Sequence, residues 1–106
     1  MNKPFTVTVS QLNRRVALML RSEAAFSDIS VRGEISNFVY HNKSGHIYFT
    51  LKDNACSLKA VMFRSNAENL KFMPENGMKV LVFGSASLFP RDGSYQVYIN
   101  DMQPDG

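Results

Sequence analysis

Cysteine is nearly absent. The single Cys56 excludes an internal disulfide, and the chain has no CxxC pair. His41, His46 and Cys56 make three candidate metal ligands with no fourth, so no metal site is expected. Such thiol usage suits a reducing, cytoplasmic setting. Long apolar runs are missing too. MNKPFTVTV lacks the apolar stretch of a signal peptide, and RRVALMLR has five apolar residues between arginines, far short of a membrane span.

Catalytic patterns are equally scarce. Glu34, Asp53, Asp92 and Asp101 fall near separate strand ends, without the paired spacing of acid/base hydrolysis or two-metal phosphoryl chemistry. No serine sits in a nucleophile elbow, and no GxxxxGK[ST] loop is present. The chain alone is therefore expected to hold no catalytic residue and no cofactor. There is no internal repeat, low-complexity tract or linker.

What is present is one domain's worth of chain. At 106 residues a single core can bury about two-thirds of the extended surface. The net charge of +3 and pI near 9.2 are compatible with a polyanionic partner, though common among ordinary proteins.

Leu12, Val16, Met19 and Leu20 recur at helical spacing after Ser10, which predicts a capped amphipathic helix over residues 10–25 with Arg14, Arg15 and Arg21 off its stripe. Beyond Phe26 the period drops to two, and NKSG, DN, PENG and PRDG punctuate the chain. The first strand, about 28–40, sets Ile29, Val31 and Ile35 against Arg32, Glu34, Ser36 and Phe38, and Gly33 within it predicts a bulge or bend. SGHIYFTLKD is the second, with Ile47, Phe49 and Leu51 inward. In the third, about 56–64, Leu58, Ala60 and Met62 oppose Ser57, Lys59, Val61 and Phe63. SNAENLKF reads as a short helix, and two more strands follow at about 78–89 and 94–102.

This order predicts a mainly β protein: a five-stranded Greek-key barrel, the OB-fold, with a short helix between strands three and four and an extra amino-terminal helix. Residues 1–27 form the extension and helix, and 28–106 the barrel. Such barrels hold nucleic acid across strands two and three, under the loops joining strands one to two and four to five. The matching residue types are here. Tyr48 lies between His46 and Lys52; Lys59 and Phe63 alternate on the next strand, with Arg64 at its end. One loop supplies His41, Asn42 and Lys43, and the other Arg91 and backbone amides near Gly93; Arg32 and Phe38 are further candidates on the first strand. Aromatic faces stack on bases for about 1–3 kcal/mol each without reading sequence, while lysine and arginine follow the backbone. Bases in a duplex are already stacked, so this surface prefers single strands. The competing reading of Tyr48, Phe63 and Phe38 is packing under a loop or under the amino-terminal helix. Asp53 is read as a turn residue and Cys56 as a small, partly buried one.

VSQLN, VRGEISNF, SGHIYFTLKD, AVMF, NGMKVLVFG and DGSYQVYINDMQPDG occur in an order that closely resembles the amino-terminal domain of the exodeoxyribonuclease VII large-subunit family. The resemblance runs from Val9 onward, and GEISN combined with SGHIYFTLKD is its specific part. It implies a bacterial nuclease that degrades single-stranded DNA from either end to oligonucleotides, built from a large catalytic subunit and several copies of a small helical one. It further implies that this barrel binds the DNA, while catalysis and the small-subunit contacts lie beyond QPDG. Two other readings stay open: a barrel whose outer aromatics dock on the rest of the enzyme, and an RNA-binding barrel of the anticodon type, which LKD alone would suit.

Overall fold

The computed structural model describes residues 3–106. Thr8, not Ser10, starts the first helix, α1 (Val9–Ser22). Its hydroxyl accepts the Gln11 N–H at 3.0 Å, and Gln11 Oε1 accepts the Thr8 N–H at 2.8 Å, a reciprocal capping box. The chain breaks at Glu23 and continues as α2 (Ala24–Ser27), so the helix expected over 10–25 is two pieces.

The barrel has five strands, β1 (Ile29–Tyr40), β2 (Ile47–Lys52), β3 (Ser57–Met62), β4 (Lys79–Phe89) and β5 (Ser94–Pro104), closed in the order β1-β2-β3-β5-β4. This is the expected architecture. Alternation drives it, because every second side chain points inward. Ile35, Phe49, Leu51, Ala60, Met62, Val80, Val82, Val97 and Ile99 fill the core, where each large apolar side chain contributes roughly 1.5–3 kcal/mol. Between β3 and β4, α3 (Arg64–Ala67) is shorter than SNAENLKF suggested, and Ala67, Leu70, Phe72 and Met78 pack on the core.

β1 serves both halves of the barrel. Ile29–Glu34 pair with β4 and Glu34–Tyr40 with β2, so the handover falls at Glu34. The bulge is not at Gly33, which stays in register with Val80. It lies between Ser36 and Val39, where Asn37 takes φ 52° and the Phe38 N–H donates to Asn76 Oδ1 at 2.9 Å. Gly33 instead gives Leu51 room: a Cβ there would sit 2.7 Å from Leu51 Cγ.

α1 packs on β4, so it does not cover Phe38. Asn13 Nδ2 donates to the Pro90 carbonyl at 2.7 Å, which fixes the helix's rotation and turns Asn13, Ala17 and Leu20 toward the barrel. Of the stripe expected to pack, Leu20 is half-buried, whereas Leu12, Val16 and Met19 are 53%, 37% and 71% exposed. The β2–β3 turn is built by Asp53, whose Oδ1 accepts the N–H groups of Ala55 (2.9 Å) and Cys56 (2.8 Å). Cys56 is exposed rather than partly buried.

Two outcomes are expected. A register shift between Phe83 and Gly84 brings Gly84 against β5 so closely that a Cβ would run into the Tyr98 carbonyl. Gly84→Ala should therefore lower the melting temperature by about 10–20 °C, as overpacking costs typically 1–3 kcal/mol or more. Gly77 has open space around it but takes φ 91°, so Ala there should cost backbone strain of about 1–2 kcal/mol rather than a clash. The hydrogen bonds from Ala55 and then Cys56 hold the Asp53 carboxyl below its ordinary 3.8. A depressed carboxylate stabilises the fold above the unfolded-state value and loses that contribution as pH falls through the folded one. Carboxyl NMR should place the Asp53 midpoint below 3.8, and Asp53→Asn should remove its share of acid sensitivity in that window.

Candidate nucleic-acid interface

The outer face of β2, β3 and β5 follows from the same alternation. Tyr48 pairs with Val61, and Val61 with Tyr98, which sets an apolar row across three strands. Tyr48 is 42% exposed; Val61, expected outward with Phe63, faces outward but is 3% exposed between its two ring-bearing neighbours. One step toward the β1–β2 loop, His46 packs edge-on to Phe63 at 5.1 Å and to Tyr48 at 6.4 Å. Phe63, 45% exposed, lies 5.9 Å from Tyr98. One step the other way, Thr50 pairs with Lys59, and beyond them Lys52 pairs with Ser57.

Several of these side chains are fixed before any ligand arrives. His46 Nδ1 accepts the Arg64 N–H at 2.9 Å, so the neutral ring carries its proton on Nε2. Gln96 Nε2 donates to the Tyr98 hydroxyl at 2.8 Å and steadies that ring. His41 shapes the β1–β2 loop: its Nδ1 and Ser44 Oγ lie 2.8 Å apart, and its carbonyl accepts the Gly45 N–H at 2.7 Å.

Charge divides the face. Arg32 is bonded to Asp105 at 2.6 Å, Lys52 lies 3.6 Å from Glu34, and Arg64 lies 3.6 Å from Glu68. Lys43, Lys59 and Arg91 take part in none of the ion pairs among the described residues. Lys59 is therefore the cation best placed for phosphate beside the apolar row. Arg32 and Lys52 sit with Glu34, Asp53, Lys79 and Asp105 in a hollow of mixed charge.

The structure brings His46, Tyr48, Lys59 and Phe63 together, with Arg64 at their edge, Lys52 at the far end, and Lys43 on the adjoining loop. Phe38 is off this face, half-buried against the core. Arg91 lies on the β4–β5 hairpin tip, at the opposite end from Lys43. The amides expected there to meet a ligand are used internally, since the Asp92 and Gly93 N–H groups both donate to the Phe89 carbonyl. Tyr98 and Gln96 were missed from sequence. The signal was available, since inward Val97 and Ile99 require outward Gln96 and Tyr98.

The family described as OB-fold nucleic acid binding domain matches residues 7–103. The chain belongs to this family. Its curated relatives agree with the resemblance read from the sequence. The exodeoxyribonuclease 7 large subunit of Ruminiclostridium cellulolyticum is 52% identical over 100% of the chain and 26% of its own length. That of Brevibacillus brevis is 53% identical over 94% of the chain and 22% of its own length. The chain thus spans about a quarter of the length of the curated relatives it matches. Among solved structures, a replication protein A heterotrimer bound to ssDNA superposes with TM-score 0.61 at 14% identity, over 78% of this chain and 61% of that one. Asparaginyl-tRNA synthetase from Pyrococcus horikoshii gives 0.58 at 16% identity, over 86% and 21%. At such identities these two share the fold of this OB domain.

Proposed function

We propose that this OB domain binds single-stranded DNA across β2, β3 and β5 and presents it to the catalytic part of an exodeoxyribonuclease large subunit, which cleaves phosphodiesters to release oligonucleotides. The observation that carries the reading is the row Tyr48–Val61–Tyr98, flanked by Phe63 on one side and on the other by Lys59, which joins no ion pair among the described residues. Tyr48, Tyr98 and Phe63 offer ring faces to bases, with buried Val61 as the floor between the two tyrosines. Lys59, Lys43 and Arg64 track phosphates; His46 offers Nε2–H. Lys52, Arg32 and Arg91 add charge at the far end, Lys52 after giving up an exposed ion pair worth little in water and Arg32 after leaving the partly buried Asp105.

Half identity to exodeoxyribonuclease large subunits along the whole chain favours DNA over an anticodon, and the ssDNA on the replication protein A neighbour is in keeping with that choice. The small subunit joins the assembly through regions beyond this chain, and the lone exposed thiol suits the cytoplasm.

A second reading, docking, is favoured by a different surface than the outer aromatics. Leu12, Val16 and Met19 form an exposed apolar stripe on α1, and about three-quarters of the relatives' length lies outside this chain to cover it. In this reading α1 seats on the remainder of the large subunit while the β2–β3–β5 face stays open to DNA.

Fluorescence anisotropy of labelled oligothymidine across salt tests the main reading. Tyr48→Ala and Tyr98→Ala should each lose affinity at every salt concentration, by about 1–3 kcal/mol per stacked base. Lys59→Ala should flatten the slope of log affinity against log salt by about 0.7. Unchanged binding in all three would move the site off this face. For docking, Leu12→Lys with Met19→Lys should weaken association with the rest of the large subunit supplied in trans by more than about tenfold, at about 1.5–3 kcal/mol per buried side chain. Oligothymidine binding should be unaltered. Unchanged association would contradict the docking role.

A further inference from the structure

Beyond the stacking face lies a groove of about 670 Å³ between the β1–β2 loop, α3 and the segment that follows α3. Its walls are Tyr40, Ile47, Leu70, Phe72 and Met73, and Lys43 and Arg64 stand on its lining as well. Resting on the single-strand reading, we propose that this groove takes one unstacked nucleotide at the end of the strand, base against the apolar walls and phosphate between Lys43 and Arg64.

Three observations support it. The groove adjoins the stacking face without a gap: Gly45 in the β1–β2 loop and Arg64 at the start of α3, both on its lining, directly adjoin His46 and Phe63 in sequence. The charge is complementary, an apolar hollow with two cations, which fits a flat ring carrying an anion and does not fit an apolar peptide segment. Gly45 places the Arg64 stem: with φ 77°, a Cβ there would come within 3.0 Å of Arg64 Cγ and Cδ, so its absence lets the stem lie against the loop. Glu68 is the opposing acid, 3.6 Å from Arg64, and both side chains are more than half exposed. A phosphate can displace such a partner.

Site sizes of about 4–16 nucleotides per OB fold define the test. Methyl NMR of the labelled chain is titrated with oligothymidines of about four and about twelve nucleotides, and with thymidine monophosphate. The longer strand should shift the methyls of Leu70 and Met73 in a saturable way, together with the Tyr48 ring resonances. Met73 is 75% exposed, so Met73→Glu should fold normally and weaken the longer strand several-fold while leaving the shorter one nearly unchanged. Glu68→Gln, which releases Arg64, should strengthen the longer strand by about two- to five-fold. If Tyr48 responds and Leu70 and Met73 do not, at either length, the groove is refuted and the stacking face stands. If thymidine monophosphate shifts Leu70 and Met73 while no oligonucleotide perturbs Tyr48, the groove holds and the stacking face falls. Silence at both places refutes both.

Discussion

Barrel closure depends on a short parallel contact, Ala60 with Val97 and Val61 with Tyr98, which joins β3 to β5. Parallel pairing is the less stable kind per residue, and here it is brief, so it needs support from both sides. Gly84 gives that support from β4, lying against the Tyr98 carbonyl where no side chain fits. The core gives it from within, through Val97 and Ile99 packed with Ala60 and Met62. Once this seam closes, Tyr98 has one place to be: on the outer surface beside Val61, one strand from Tyr48.

The apolar row is thus a by-product of the core's own alternation, and its composition is what suits it to the proposed binding of bases. A polar residue at Val61 would leave the barrel equally closed but would separate two rings with a hydrated gap. Charge is arranged with the same economy. The ion pairs of Arg32 and Lys52 gather at the end far from the β1–β2 loop, whereas Lys59 beside the rings and Lys43 beyond them join no ion pair among the described residues. A strand crossing the face would therefore meet cations beside and beyond its bases, with paired acids at both ends, Glu34 and Asp105 at one and Glu68 at the other.

Much of this was legible in the sequence. The inward residues of β2, β3 and β5 follow from period two alone, and the strand order with a helix after the third strand gave the barrel its topology. Three features were hidden for definite reasons. The bulge lies between Ser36 and Val39, beyond Gly33, and the Phe38 N–H within it is held by Asn76, thirty-eight residues away, which no local pattern announces. The rotation of α1 depends on Asn13 reaching Pro90, and no helical stripe can announce which of two faces a distant carbonyl will select. Val61 lost its exposure to the rings on either side, which requires knowing that β5 returns alongside β3. Tyr98 facing outward was legible from Val97 and Ile99 on either side of it; only its place beside Val61 depends on that pairing.

The central claim is that one strand of DNA lies across β2, β3 and β5 with its bases on the exposed rings. Photocrosslinking of this chain to an oligonucleotide carrying 5-iododeoxyuridine, mapped by mass spectrometry, reads it directly. The account requires crosslinks at Tyr48, Phe63 and Tyr98. Crosslinks confined to α1 or to the outer side of β4, with those three rings untouched, would contradict it.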